Sequence, residues 1–290
     1  MADDWLPRIP VGDAFESGVD WLTENLAPVF DWVEKVLDSG VSALVWLLLA
    51  PPTLVTIAAM AGLGWWLRGW RFGLISLVML VLIDSMGQWE AAMSSLALVL
   101  AASLVTGVIA FPLGVLTARN DTFSTIVRPI LDFMQTMPAF VYLIPAVMLF
   151  SIGVVPGIVA TIIFAMPPGV RLTELGIRQV NPEMVEAGDA FGAPPRQVLS
   201  RVQIPLAMPS IMAGVNQVIM LALSMVVIAG MVGAGGLGGV VYEGITRLNI
   251  ASGFEGGLAV VILAIYLDRV TAGLGARSAV ARAEKAAQHA

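Results

Sequence analysis

Few side chains in this 290-residue chain could perform covalent chemistry. It has no cysteine and a single histidine, His289, next to the last residue. Disulfides, thiolate metal sites, a histidine metal cluster and a Ser-His-Asp triad are thereby excluded. Lys35 and Lys285 are the only lysines and neither precedes Ser or Thr, so no G-x-x-x-x-G-K-[ST] phosphate loop exists. The cluster Gly233, Gly235, Gly236, Gly238 and Gly239 reads as an outer loop before Tyr242 and Glu243. It lacks the strand–helix setting of a nucleotide cradle and suits close backbone packing or a turn. Glu243 and Arg247, four apart, are spaced to pair. Scattered basic residues and a net charge of −6 exclude a nucleic-acid surface. The chain is expected to be no enzyme and to hold no metal or cofactor of its own.

What remains are polar residues inside apolar runs, which are costly in a membrane and often mark a path. Asp132, Gln135 and Thr136 precede Met137-Pro138, where Pro138 and Pro145 can leave carbonyls unpaired along a wall. Asp132 could instead cap a helix or pair with Arg128. Asn216 and Gln217 could line a path or bond a neighbouring helix, with Met220, Ser224 and Met225 on a related face.

The densest polar stretch is Asn181–Pro209. It carries Glu183, Glu186, Asp189, Arg196 and Arg201, with Arg178 just before it. Asn181 can cap a short helix that starts on Pro182 and holds Glu183 and Glu186 near the positive end of its dipole. Gly192 should end that helix, Pro194-Pro195 should start a second, and Pro205 and Pro209 should kink the return to apolar sequence. Two short helices meeting at a glycine form a rigid knob that another protein's groove could hold.

The elements around these residues are membrane helices. Hydrophobic residues make up 58%, charged residues 12%, and mean hydropathy is +0.88; soluble domains carry about 25% charged residues. Residues 1–52 form an acidic outer or interfacial segment with an amphipathic helix on Phe15, Val19, Leu22, Leu26, Val29, Val33 and Leu37. Trp5, Trp21, Trp32 and Trp46 suit the membrane boundary. No cleavable signal peptide is apparent. Two accessory spans lie in 53–88, at about 53–67 and 72–86. The core, 89–275, has spans near 91–118, 129–150, 158–172, 206–232 and 253–271, with a polar loop at about 173–205. A tail occupies 276–290. Placing the 181–209 loop in the cytoplasm puts twelve of the fifteen basic residues inside, leaving Arg8, Lys35 and Arg247 outside. The N-terminus is then extracytoplasmic and the C-terminus cytoplasmic.

The run Glu186-Ala187-Gly188, then Gly192, Ala193 and Val202-Gln203-Ile204-Pro205 resembles the EAA-x3-G-x9-I-x-L-P loop of ABC importer permeases. It departs at Gly188 for Ala, Val202 for Ile and Ile204 for Leu. The stretches 131–180 and 213–238 are similar to a narrower group, the permeases for glycine betaine, proline betaine and choline. The resemblance covers about residues 85–275. It implies an all-α polytopic fold, the type I ABC importer transmembrane domain: a five-span core with about two N-terminal spans and an amphipathic N-terminal helix. It implies that Glu186, Ala187, Gly188, Gly192, Ala193 and Pro205 couple to a separate ATPase that binds ATP and Mg. It also implies a second copy of the permease, two ATP-binding cassette subunits and, since no binding domain follows residue 275, a separate extracytoplasmic binding protein, all in a bacterial inner membrane. Gln135, Thr136, Phe140, Tyr142, Asn216, Gln217, Met220 and Met225 are candidates for the path. Phe133, Phe140 and Tyr142 could offer aromatic faces to a quaternary ammonium. The rival readings are an ion-coupled secondary carrier, for which Asp84 is the available acid, and an intramembrane enzyme.

Overall fold

The computed structural model describes residues 10–276, and every regular element among them is a helix. The extreme N-terminus, with Trp5 and Arg8, and the tail beyond Ala276, with Lys285 and His289, lie outside the described residues. The helices are α1 (Val11–Leu49), α2 (Thr53–Arg68), α3 (Trp70–Ser85), α4 (Trp89–Arg119), α5 (Asp121–Thr136), α6 (Ala139–Phe150), α7 (Val154–Arg178), α8 (Pro182–Ala190), α9 (Pro195–Val198), α10 (Ile204–Gly230), α11 (Gly236–Thr246) and α12 (Ile250–Gly275). Helices are what a chain without water must form, because each backbone N–H then finds its carbonyl within the segment.

Four stretches are long and apolar enough to cross a membrane unaided: α4, α7, α12 and the continuous run Pro195–Gly230. The centre is α7, packed between α4 and α10. Small residues let these backbones approach, as membrane helices require: a methyl at Gly169 would stand 3.0 Å from Ala110 and 3.1 Å from Val218. Around this centre Leu80, Ile83, Met93, Ile158, Leu237 and Leu263 are fully buried.

The structure departs from the sequence expectations in three places. The span expected at 129–150 is two helices, α5 and α6, bent by 98°. Met137 is extended (φ −70°, ψ 134°), because the ring of Pro138 disfavours helical geometry in the residue before it. Pro138 marked the place in sequence, but not the size of the bend. The 53–67 and 72–86 segments are helices at the expected places, α2 and α3, of 16 residues each and about 24 Å long at 1.5 Å per residue. The polar segment at 173–205 holds the two expected short helices, but α7 runs on to Arg178 and α9 joins α10 through one π turn at Leu199–Gln203. In that turn the Ile204 N–H donates to Leu199, five residues back. The wider turn relieves the collision between a proline ring, here Pro205, and the carbonyl four residues before it. Finally, the glycines from Gly236 onward are not loop but helix α11.

The amphipathic N-terminal helix is longer than expected, at 39 residues. It lies at 98° to α2 and packs across the ends of α4, α6 and α7. Phe30 meets Phe150 edge-on at 5.5 Å, and Val19 and Val41 are buried. Trp21, Trp32 and Trp46, all exposed, fall within roughly 40° of one stripe at 3.6 residues per turn, which suits a boundary between lipid and water.

At the opposite face of the bundle, α12 is tied to α2 by Tyr266, whose hydroxyl donates to the Met60 carbonyl at 2.9 Å and which stacks on Phe72. Tyr266→Phe keeps the ring and removes the bond. It is expected to cost about 0.5–1.5 kcal/mol, read as a small fall in the midpoint of detergent-phase unfolding.

Candidate functional site

The knob forms as its residues dictate. Asn181 caps α8, its side chain accepting from the Glu183 N–H at 3.0 Å, and Pro182 occupies the first turn. The helix closes on a Schellman pair: the Gly192 N–H donates to Asp189 at 2.9 Å and the Ala193 N–H to Gly188 at 3.2 Å. Gly192 sits at φ +76° with open space around its α-carbon. A side chain there would meet no neighbour and would cost only the left-handed backbone penalty of about 1–2 kcal/mol. Ala193 and Pro194 then lead into α9, whose Val198 is buried against α8. A methyl at Gly188, where this chain departs from the EAA pattern, would press to 3.3 Å of Val198. Glycine therefore lets α8 lie closer to α9.

The knob is anchored from beneath. Val185, Leu199, Ile204 and Leu206 pack on a small core of Ile177, Val180, Ala207 and Ile211, together with Phe111, Val115 and Ala118 of α4. Beside it is a cleft of about 510 Å³ lined by Arg119, Arg178, Glu186, Asp189 and Gln203, among others. Glu186 and Ala187 are exposed, and no residue of α8 is buried. Pro205 sits in the first turn of α10. The structure thus brings Glu186, Ala187, Gly188, Gly192 and Ala193 into one projecting unit, with Pro205 at its root.

Sequence reading passed over the outermost residue. Phe191, at the tip between α8 and α9, is 93% exposed, and Met184 is 50% exposed. An unpartnered phenyl ring at the end of a rigid projection is the kind of side chain that fills a pocket in another protein. Its signal was available in sequence: a phenylalanine beside the glycine that ends a polar helix.

The path candidates divide. Gln135 and Thr136 are exposed on the last turn of α5, immediately before the break, and Phe140 is exposed just after it; Phe133 is 63% exposed. On α10, Ala213, Gln217 and Ser224 are exposed with Met220 half-buried between them. Their spacing of three and four makes one stripe. The other candidates face inward. Tyr142 is buried and donates to the Met134 carbonyl at 2.8 Å, and Met225 packs beside it with none of its surface exposed. Asn216 donates to Asp268 at 3.0 Å and accepts from Thr271, both on α12, so it takes the interhelical role.

Asp132 pairs with Arg171, not Arg128. Arg128 instead reaches Glu174 at 2.9 Å, a buried carboxylate that sequence reading did not single out. Glu243 and Arg247 pair as spaced, at 3.6 Å.

Comparison with known proteins places this geometry. Residues 110–278, more than half of the chain, match the family described as "Binding-protein-dependent transport system inner membrane component". The glycine betaine transport system permease protein OpuAB of Bacillus subtilis is 48% identical over 268 residues, covering 92% of this chain and 95% of that one. The glycine betaine/proline betaine transport system permease protein ProW of Escherichia coli is 51% identical over 267 residues, covering 92% and 75%. Among solved structures, a chain of the MetNI methionine ABC transporter, determined in inward-facing conformations, superposes with a TM-score of 0.60 at 23% identity, over 65% of this chain and 94% of that one; this shows a shared fold, the type I importer transmembrane fold. The chain belongs to the family of binding-protein-dependent transport system inner membrane components, and it is an ABC transporter permease.

Proposed function

We propose that this permease imports glycine betaine or proline betaine, with choline as a further cargo, and that two copies form the path. The observation that carries the reading is the near-half identity along 92% of the chain to permeases named for those betaines. The knob supports the coupling role: it is rigid, charged and tipped by an exposed phenylalanine. Two ATP-binding cassette subunits, which bind ATP and Mg, would each receive one knob. An extracytoplasmic binding protein would deliver the solute at the opposite end. The chain itself performs no catalysis.

The stripe of exposed Gln217 and Ser224 with half-buried Met220 on α10, together with Gln135, Thr136 and Phe140 at the α5–α6 break, supports a path between the two copies. Polar side chains left uncovered at membrane depth are costly against lipid and acceptable against a partner or a water-filled passage. The basic residues Arg68, Arg119, Arg178, Arg196 and Arg201 gather at the knob end, which supports its cytoplasmic placement. An ion-coupled carrier is disfavoured by the family membership, and Asp84 lies exposed at the end of α3 rather than within the bundle.

The experiment is competition. Proteoliposomes holding the permease, its ATPase and its binding protein should take up labelled glycine betaine with ATP, and unlabelled proline betaine should compete. Uptake insensitive to either betaine would overturn the cargo assignment.

A further inference from the structure

Helix α5 has only two buried residues, Ser124 and Leu131, among its sixteen. Its apolar packing is one patch, Val127, Leu131 and Met134 beside Ala110, Leu113, Met166 and Val170 of α4 and α7, and it leads directly into the 98° break at Met137-Pro138. Its polar contacts supply the rest. The Ser124 hydroxyl donates to Glu174 at 2.8 Å and Arg128 donates to the same oxygen at 2.9 Å. Arg178 donates to Asp121 at 2.7 Å, to the Thr117 carbonyl at 2.7 Å, and meets Glu174 at 3.0 Å. Arg171 pairs with Asp132.

These contacts have a register. On α5 the residues are 121, 124, 128 and 132, and on α7 they are 178, 174 and 171. Steps of three and four put each set on one helix face, and the pairing order runs antiparallel. Three cations (Arg128, Arg171, Arg178) meet three anions (Asp121, Asp132, Glu174), so the cluster is balanced and fastens two helices instead of presenting a charge to an ion. A cleft of about 360 Å³ between the helices is lined by five of these six charged side chains and Leu175. Glu174 is its keystone: its side chain is 6% exposed with donors from three residues. Removing one partner of such a buried group leaves charge uncompensated. The α7 set ends at Arg178, three residues before the cap of the knob.

We propose that this antiparallel ion-pair zipper is the strut that carries movement of the 181–209 knob to α5, and through it to the Met137-Pro138 joint where Gln135, Thr136 and Phe140 are exposed. Glu174, Arg171 and Asp132 are positioning residues for transport. The inference rests on the coupling role of the knob given above. Because α7 is gripped between α4 and α10, a displaced knob shifts the lower end of α7. Without the zipper, α5 would not follow.

The absence of cysteine allows clean labelling. Spin labels at Ile130→Cys on α5 and Met184→Cys on α8, carried by one copy paired with an unlabelled one, should give one narrow distance distribution in the otherwise native chain. Asp132→Arg alone, Arg171→Asp alone and Glu174→Gln should each broaden it, and the double swap Asp132→Arg/Arg171→Asp should narrow it again. This readout needs no transport. In proteoliposomes with ATPase and binding protein, Glu174→Gln should raise ATP hydrolysed per solute imported at least tenfold, and the swap should recover most of what either single change loses. A merely structural role would lower folded complex and both rates together, leaving that ratio unchanged. Narrow distributions in all single variants, or an unchanged ratio in Glu174→Gln, overturn the strut. Failure of the unsubstituted complex to import with ATP would instead count against the transport reading, and the distance measurement would still judge the zipper.

Discussion

Gly238→Ala is expected to abolish folded protein, while Gly239→Ala, one residue on, leaves it intact. The two glycines share a helix and differ in what faces them. A methyl at Gly238 would overlap the Val226 carbonyl oxygen outright and stand 2.8 Å from its carbon and 3.2 Å from the Gly230 nitrogen. A methyl at Gly230 would likewise overlap the Gly238 carbonyl, so α10 and α11 cross with their backbones in contact. Backbone cannot turn aside as a side chain can. Both helices would have to separate, at a cost above the ~3 kcal/mol usual for overpacking. That separation would also draw the Leu237 N–H from the Ser95 hydroxyl oxygen, its acceptor at 2.8 Å. Nothing lies within 4 Å of a methyl at Gly239, and alanine there gains helix propensity of up to about 1 kcal/mol. The check is the yield of monodisperse protein in detergent and its thermal midpoint. Equal behaviour of the two variants would show that the α10–α11 crossing is looser than described.

Phe191→Asp should separate the permease from its ATPase without unfolding it. The ring is 93% exposed, so stability should change by no more than about 0.5 kcal/mol. Against a partner's groove, loss of an aromatic anchor costs about 2 kcal/mol or more, roughly thirtyfold in affinity, and a carboxylate adds desolvation. Co-purification of the ATPase with the variant should fail under conditions where the parent complex survives. Retention of the ATPase with unaltered affinity would move the docking surface away from the tip.

The knob was legible in sequence because its signals are local. Asn181-Pro182 begins a helix, Gly192 ends it and Pro194-Pro195 restarts the chain, and each acts within a few residues. The membrane class was equally plain from the long apolar runs at 91–118 and 206–232. The opening at Met137-Pro138 had a local signal in Pro138, while its 98° bend depends on packing that no local pattern shows. The glycines at 236–239 pointed to close packing, but loop was read where the structure has helix. Glycine breaks helices in water, whereas between membrane helices it permits backbone contact. The zipper was not legible at all. Its partners are some fifty residues apart in the chain, and Glu174 looks in sequence like one more charge at the end of a span. Only the fold sets it against Ser124, Arg128 and Arg178.

On the proposed function, the Asn181–Pro209 knob transmits ATP hydrolysis from a separate subunit to this permease. The most direct measurement is betaine uptake into proteoliposomes containing the permease, its ATPase and its binding protein, with the chain unaltered or carrying Glu186→Lys and Gly192→Trp together. The unaltered complex should accumulate solute only when ATP is present. The double variant should remain folded, since neither position is packed against a neighbour, and should lose uptake. Full uptake by the double variant, or uptake by the permease alone without the ATPase, would contradict it.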